Sequence, residues 1–184
     1  MSFKLRHVAN VVASGGIVAY PTEAVWGLGC DPNDPDAVLR LLRLKQRDWR
    51  KGFILVAASM AQLEPYLSTL SVAQRQQLAL SWPGPTTWLV PHDGGVGIGI
   101  CGEHSTLALR VSAHPIVQAL CNLCAGPLVS TSANPDGLQP ARDRLTVRRY
   151  FGDAVDGYAP GAVGGAAKPS EIRDLVSGEI IRAA

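Results

Sequence analysis

The sequence contains no apolar run approaching the roughly 20 residues that cross a bilayer, and no charged-then-apolar leader ending in a small-residue cleavage site. Both absences point to a soluble, cytoplasmic protein with no membrane partner. Cysteine is sparse, and in a reducing compartment Cys30, Cys101, Cys121 and Cys124 are expected as free thiols. A large excess of one charge is also missing. The formal net charge is +2, too small by itself to mark a nucleic-acid binder. Three common catalytic signatures are absent: the phosphate loop G-x-x-x-x-G-K-[ST], the metalloprotease H-E-x-x-H and the hydrolase elbow G-x-S-x-G. The corresponding ATPase, metalloprotease and hydrolase readings lose their support.

What is present fits one domain over residues 1–184, because a chain of this length with 47% hydrophobic residues can bury a sizeable core. Prolines and glycines are spread along the chain, so they punctuate turns between many short elements. Leu5, Val8, Ala9 and Val12 recur at helical spacing over 4–13, and Ser14-Gly15-Gly16 then releases a buried strand at 17–20. Asp34 and Pro35 read as an N-cap and first-turn proline for a helix running into Lys45. Strands are expected at 53–58, 86–91, 106–111 and 127–131, and helices after the caps Ser59 and Ser71 and over 114–124. A basic amphipathic helix is expected at about 141–150, then strands near 154–158, 171–176 and 179–182. Helices and strands alternate early while strands crowd the end. The fold class is therefore α/β, a mixed, curved sheet flanked by helices.

Several features have two readings. Cys121-Asn122-Leu123-Cys124 has redox or metal spacing but no second Cys or His pair nearby, so buried structural thiols are favoured. Gly94 to Gly99 lacks the strand and helix of a dinucleotide fingerprint and reads as a flexible loop. His7, His92, His104 and His114 share no ligand spacing, which leaves surface or capping roles. Lys45 falls three and four positions after Leu42 and Leu41, on the inward side of its helix, where a cation needs an anionic partner. With Arg47 and Lys51 it could converge on a phosphate chain, or form a solvated helix end complementing the dipole. Ser130, Ser132 and Asn134 cluster at a strand end before a Pro-Asp-Gly turn, as ligand-binding groups or as ordinary turn chemistry. Glu23 is a base, a metal-facing carboxylate or a structural strand-end group.

Taken together, Tyr20-Pro21-Thr22-Glu23, Gly27-Leu28-Gly29, Lys45-Gln46-Arg47, Pro83-Gly84-Pro85-Thr86 and Ser132-Ala133-Asn134 resemble the YrdC/TsaC family in order and spacing. That family is often summarised by a K-x-R…S-x-N signature. The resemblance continues through Leu109-Arg110-Val111 to Pro169-Ser170 and Asp174-Leu175, and the length matches the family's short form. The chain departs from the usual pattern at Ala24, often threonine, and at Asp48-Trp49-Arg50-Lys51, where proline often follows K-x-R.

The resemblance implies a twisted, partly open sheet around a concave, positively charged cavity. It also implies synthesis of threonylcarbamoyl-adenylate from L-threonine, bicarbonate and ATP, for modification of tRNA beside the anticodon by partner transfer proteins. By that likeness Lys45 and Arg47 are catalytic and hold ATP phosphates together with Lys51. Ser130, Ser132, Asn134, Ser170 and Arg182 complete the ATP site. Thr22 and Arg110 hold threonine, Arg110 through its carboxylate. Magnesium is expected to arrive with ATP and not at a dedicated protein site. The competing class is a non-catalytic RNA-binding module, suggested by the basic segments 40–51 and 142–149, with tRNA as its partner. A third reading is a phosphate enzyme with another amine acceptor.

Overall fold

The computed structural model describes residues 3–183. In chain order the elements are α1 Phe3–Ala13, β1 Val18–Pro21, β2 Trp26–Gly29, α2 Pro35–Lys45, β3 Ile54–Ala57, α3 Glu64–Leu67, α4 Val72–Ser81 and β4 Thr86–Pro91. They continue with α5 Ile98–Cys101, β5 Thr106–Val111, α6 Pro115–Leu123, β6 Leu128–Ser132, α7 Arg144–Phe151, β7 Gly157–Tyr158, β8 Glu171–Asp174 and β9 Ile180–Arg182. Short 3-10 turns at Trp49–Lys51, Met60–Leu63 and Gly152–Ala154 link neighbours.

Side chains on a strand alternate between the faces of the sheet, and in β1 and β3 both sets are apolar. Val18, Tyr20 and Val56 face one layer, where α1 supplies Leu5, Val8 and Val12 and α6 supplies Val117 and Leu120. Ala19, Leu55 and Ala57 face the other, against Val38, Leu41 and Leu42 of α2 and Leu78 of α4. Helices on both faces account for continuous apolar strand sequences instead of alternating ones. The result is a nine-stranded sheet in the order β7-β1-β2-β6-β3-β5-β4-β8-β9. Three pairings are parallel, β1 with β7, β3 with β5 and β4 with β8. The other pairings are antiparallel. It is the mixed, open α/β sheet expected from the sequence.

Most expected elements are found, with instructive shifts. Asp34 caps α2 by accepting from the Asp36 and Ala37 amides, and Ser71 forms a reciprocal capping box with Gln74. Ser59 makes no such side-chain bond, and the chain after it forms a 3-10 turn before α3. The basic helix begins at Arg144 because Asp143, whose carboxylate accepts from the Thr146 amide at 2.8 Å, sets its start. The strand expected at 154–158 shrinks to two residues, because Gly152–Ala154 turns as a 3-10 segment. The glycine-rich segment is a loop only as far as Gly97. At Gly99, already in α5, a Cβ would come within 2.9 Å of Val38 Cγ1, so its bare backbone lets α5 seat on α2.

β2 was not anticipated from the sequence. It pairs with β1 and β6, and Gly29 sits so close to β6 that a Cβ would lie 2.1 Å from the Val129 carbonyl oxygen.

Candidate active site

The site lies where α2, β1, β2, β5, β6 and the terminal strands converge. Gln46 closes α2 in a left-handed conformation, φ 48°, with its amide donating to the carbonyls of Leu42 and Arg43. That reversal directs Lys45 inward and brings Arg47 back beside it. Arg47 is then fixed by Nε donating to the Gly52 carbonyl at 2.9 Å and by its guanidinium lying 5.3 Å from the centre of the Phe53 ring.

Lys45 is buried, 6% exposed, but its partners are not anionic as its position suggests. Its ammonium donates to the carbonyls of Ser132, at 2.7 Å, and Asn134, and to Asn134 Oδ1 at 3.3 Å. Ser132 Oγ in turn donates to Asn134 Oδ1 at 2.6 Å. Neutral oxygens satisfy the ammonium's hydrogen bonds without cancelling its charge. Burial, and next the Arg47 cation, pull Lys45 down to about 8, while Asp136 opposes them weakly. Burial likewise lowers Arg47.

A cavity of about 280 Å³ opens beside this group, lined by Thr22, Arg47, Arg110, Ser130, Ser132, Ser170 and Arg182. A second hollow of about 200 Å³ is lined by Lys45, Arg47, Lys51, Ser132 and Asn134. Arg47 and Ser132 border both. Each of the ten residues singled out in the sequence lines one or both of these two neighbouring hollows. Several of them are already tied to the protein. Thr22 Oγ1 donates to the Val25 carbonyl at 2.7 Å, Ser170 Oγ pairs with Thr87 Oγ1 at 2.9 Å, and Arg182 Nη2 donates to the Ser170 carbonyl at 2.7 Å.

Arg110 is the most buried cation lining the larger-volume cavity of the two. Nε donates to the Gly84 carbonyl at 3.0 Å and Nη2 lies 2.8 Å from Glu23 Oε1. Burial lowers its affinity for the proton and the Glu23 charge opposes that shift. Glu23 Oε1 also accepts from Ser112 Oγ at 2.8 Å and the Ala113 amide at 3.0 Å, so the strand-end reading of this carboxylate holds for that oxygen. Ser112, Trp26 and Lys168 line the cavity too and were not singled out. Ser112 had a signal, since it lies two residues beyond Arg110, on the same side of an extended chain.

Among the described residues no cysteine lines either hollow. Burial raises Cys30 and Cys121 to about 12 and Cys124 to about 11, which makes inert thiols of the Cys-x-x-Cys pair. His114 has a capping role, with Nδ1 accepting from the Ile116 amide at 3.3 Å and Nε2 facing the Ala162 carbonyl at 3.1 Å. The first basic segment is partly neutralised and the second is partly packed against an aromatic ring. Arg40 pairs with Asp156 at 3.0 Å, Arg50 lies 3.6 Å from Glu103, and Arg144 and Arg148 lie over the Tyr158 ring. Among the described residues no His, Cys, Asp and Glu cluster is spaced to hold a metal, and no helix is long and apolar enough to cross a membrane.

A mixed open sheet with cations and short hydroxyls lining neighbouring hollows defines the class of α/β domain to which the chain belongs. The chain belongs to the Sua5/YciO/YrdC family, whose model, described as "Telomere recombination", matches residues 10–184. It is 54% identical over 180 residues to the threonylcarbamoyl-AMP synthase of Saccharophagus degradans, covering 98% of this chain and 94% of that protein. It is similarly 54% identical over 183 residues to the threonylcarbamoyl-AMP synthase of Pseudomonas paraeruginosa, covering 100% and 98%. Among solved structures, P. abyssi Sua5 complexed with L-threonine matches with a TM-score of 0.86 at 30% identity, covering 92% of this chain. This chain spans about half, 50%, of that protein. E. coli YciO matches with a TM-score of 0.82 at 25% identity, covering 97% of this chain and 87% of its own.

Proposed function

We propose that the protein is a nucleotidyltransferase that makes L-threonylcarbamoyl-adenylate from L-threonine, bicarbonate and ATP, releasing pyrophosphate. The observation that carries this is the junction at Arg47 and Ser132, where a hollow containing Lys45 meets a cavity containing Arg110. A polyphosphate and an amino-acid carboxylate would thus each find a cation in hollows that share two lining residues. The relatives named threonylcarbamoyl-AMP synthase, which share more than half of their residues with this chain, support the same product.

The chemistry needs no protein nucleophile. The threonine amine and bicarbonate condense to a carbamate with loss of water. A carbamate oxygen attacks the α-phosphorus in line, its bond to phosphorus forms, and the bond to the bridging oxygen breaks with pyrophosphate carrying away the charge. Lys45 and Arg47 hold the phosphates and offset that developing charge. Because their positions are fixed by Ser132, Asn134, Gly52 and Phe53 before ligand arrives, little reorganisation remains for the reaction itself. Ser130, Ser132, Asn134, Ser170, Lys51 and Arg182 complete the nucleotide site, and Thr22 and Arg110 the threonine site. Magnesium would arrive with ATP and supply charge neutralisation at its phosphates. The adenylate would pass to transfer proteins that modify tRNA, in the cytoplasm.

Pyrophosphate release from ATP, measured with and without threonine and bicarbonate and with mass detection of the adenylate, tests this reading. Dependence on both co-substrates, lost in Lys45→Ala, supports it. No turnover with any amino acid, alongside salt-sensitive RNA binding, would replace it with the binding-module reading. Turnover with an amine other than threonine would point to a different acceptor.

A further inference from the structure

Buried polar side-chain atoms without a hydrogen-bond partner are rare in folded proteins and call for an explanation. Among the described residues there are three: Glu23 Oε2, Trp26 Nε1 and Arg110 Nη2. All three belong to residues lining the same cavity. Arg110 Nη2 has an ionic partner in Glu23 Oε1 at 2.8 Å, although its N–H is poorly aligned to it. Glu23 Oε2 and Trp26 Nε1 have no hydrogen-bond partner, an acceptor and a donor on two residues that line one cavity. Leaving such groups buried and unsatisfied costs stability. A ligand that carries both a donor and an acceptor removes that cost.

We propose that Glu23 Oε2 is the acceptor that reads the nitrogen of the amino-acid substrate, first as its amine and then as the carbamate N–H. The proposal rests on the function argued above and assigns a residue that function leaves unused. Glu23 is suited to the task because its other oxygen is held three ways, by Arg110, Ser112 and the Ala113 amide. The carboxylate cannot turn without breaking those contacts, so Oε2 is held in place. An α-amino acid has its nitrogen two bonds from its carboxylate carbon. A carboxylate received by Arg110 therefore brings its nitrogen close to the partner of that same arginine. The N–H survives carbamate formation, so the contact is kept through the reaction.

The test is calorimetric binding of three ligands in the presence of a non-hydrolysable ATP analogue: L-threonine, α-aminobutyrate, which lacks the hydroxyl, and β-hydroxybutyrate, which lacks the amine. In Glu23→Gln, threonine and α-aminobutyrate are expected to bind about 10- to 100-fold more weakly, the usual worth of a hydrogen bond to a charged group. Affinity for β-hydroxybutyrate and for the ATP analogue should not change. Glu23→Asp keeps the charge opposite Arg110 but retracts the oxygens by one methylene, and it serves if the first variant does not fold. It should show the same selective loss. Equal weakening of all three ligands would overturn the proposal in favour of a role confined to holding Arg110. A loss confined to the two hydroxyl-bearing ligands would make the hydroxyl the group read, and weaker nucleotide binding would make Glu23 a metal-facing group. Absence of threonine binding in the unmodified protein would instead overturn the proposed function itself.

Discussion

Lys45 Nζ donates to the Ser132 carbonyl oxygen at 2.7 Å, tying the end of α2 to the end of β6 across 87 residues of chain. The K-x-R and S-x-N segments are therefore one structural unit. Removing the ammonium leaves two carbonyls and an amide oxygen short of a donor as well as removing the charge. In Lys45→Ala, kcat for ATP-dependent pyrophosphate release is expected to fall by about 10²- to 10³-fold, the usual cost of deleting a preorganised electrostatic group. Lys45→Arg, which keeps the charge but not the compact ammonium, should fall less. Steady-state kinetics at saturating substrates decides.

The same residue sets a pH dependence. Burial and the Arg47 cation bring Lys45 from about 10.5 to about 8, so the empty protein loses this cation as pH rises through about 8. Because kcat/KM reports the free enzyme, its value for ATP should decline above that pH. Bound phosphates favour the charged form and should move the corresponding limb in kcat to higher pH. In Lys45→Arg the limb near 8 should vanish from the profile. Stability has the opposite sign. With the folded value lowered, the unfolded chain binds more protons between about 8 and 10.5, so Lys45 contributes stability that rises with pH across that window.

Asn134 is committed on every side. Oδ1 accepts from Ser132 Oγ and Lys45, and Nδ2 donates to the carbonyls of Leu138, at 2.8 Å, and Pro135, at 3.1 Å. It holds the turn that presents the Lys45 acceptors. In Asn134→Ala the KM for ATP should rise about tenfold, with about 1 kcal/mol lost from unfolding stability for each unsatisfied bond. Parallel kinetics and urea unfolding measure the two effects.

How much of this could be read beforehand depends on where the determining interactions lie. α2 was legible because Asp34 and Pro35 act within one turn, and β4 and β5 because their apolar runs lie between strong turn signals. β2 was not, since two of its four residues are glycine, which propensity reads as a break. Its glycines answer instead to close neighbours distant in sequence. The candidate site was legible as motifs and not as contacts. Nothing local announces that Lys45 bonds to carbonyls, or that Glu23 faces Arg110.

That account of β2 makes a stability prediction. A Cβ at Gly29 would meet the Val129 carbonyl oxygen at 2.1 Å and the Tyr20 hydroxyl oxygen at 2.9 Å. Backbone cannot move aside as a flexible side chain can, so Gly29→Ala should lose about 1–3 kcal/mol, the range for overpacking. At Gly27 the nearest atom, Tyr20 Cε2, is 3.3 Å away, and the alanine variant should lose less. Equal midpoints in urea for the two variants would refute this difference.

Lys51 and Arg47 border the same hollow but differ in how they are held. Lys51 is exposed, whereas Arg47 is half-buried, bonded to Gly52 and stacked on Phe53. An exposed cation acts on a bound polyphosphate through water, and its field is screened within ~10 Å at about 0.1 M salt and ~3 Å at about 1 M. Lys51→Ala should therefore raise the KM for ATP only a few-fold, and the difference from the unmodified protein should disappear as salt increases. Arg47→Ala should be the larger loss and should persist, because a partly desolvated guanidinium in direct contact with phosphate is screened much less. Titrating KM against salt for both variants separates a cation that binds in the site from one that attracts the nucleotide toward it. If Lys51→Ala proved as costly as Arg47→Ala at high salt, Lys51 would have to reach the phosphates directly.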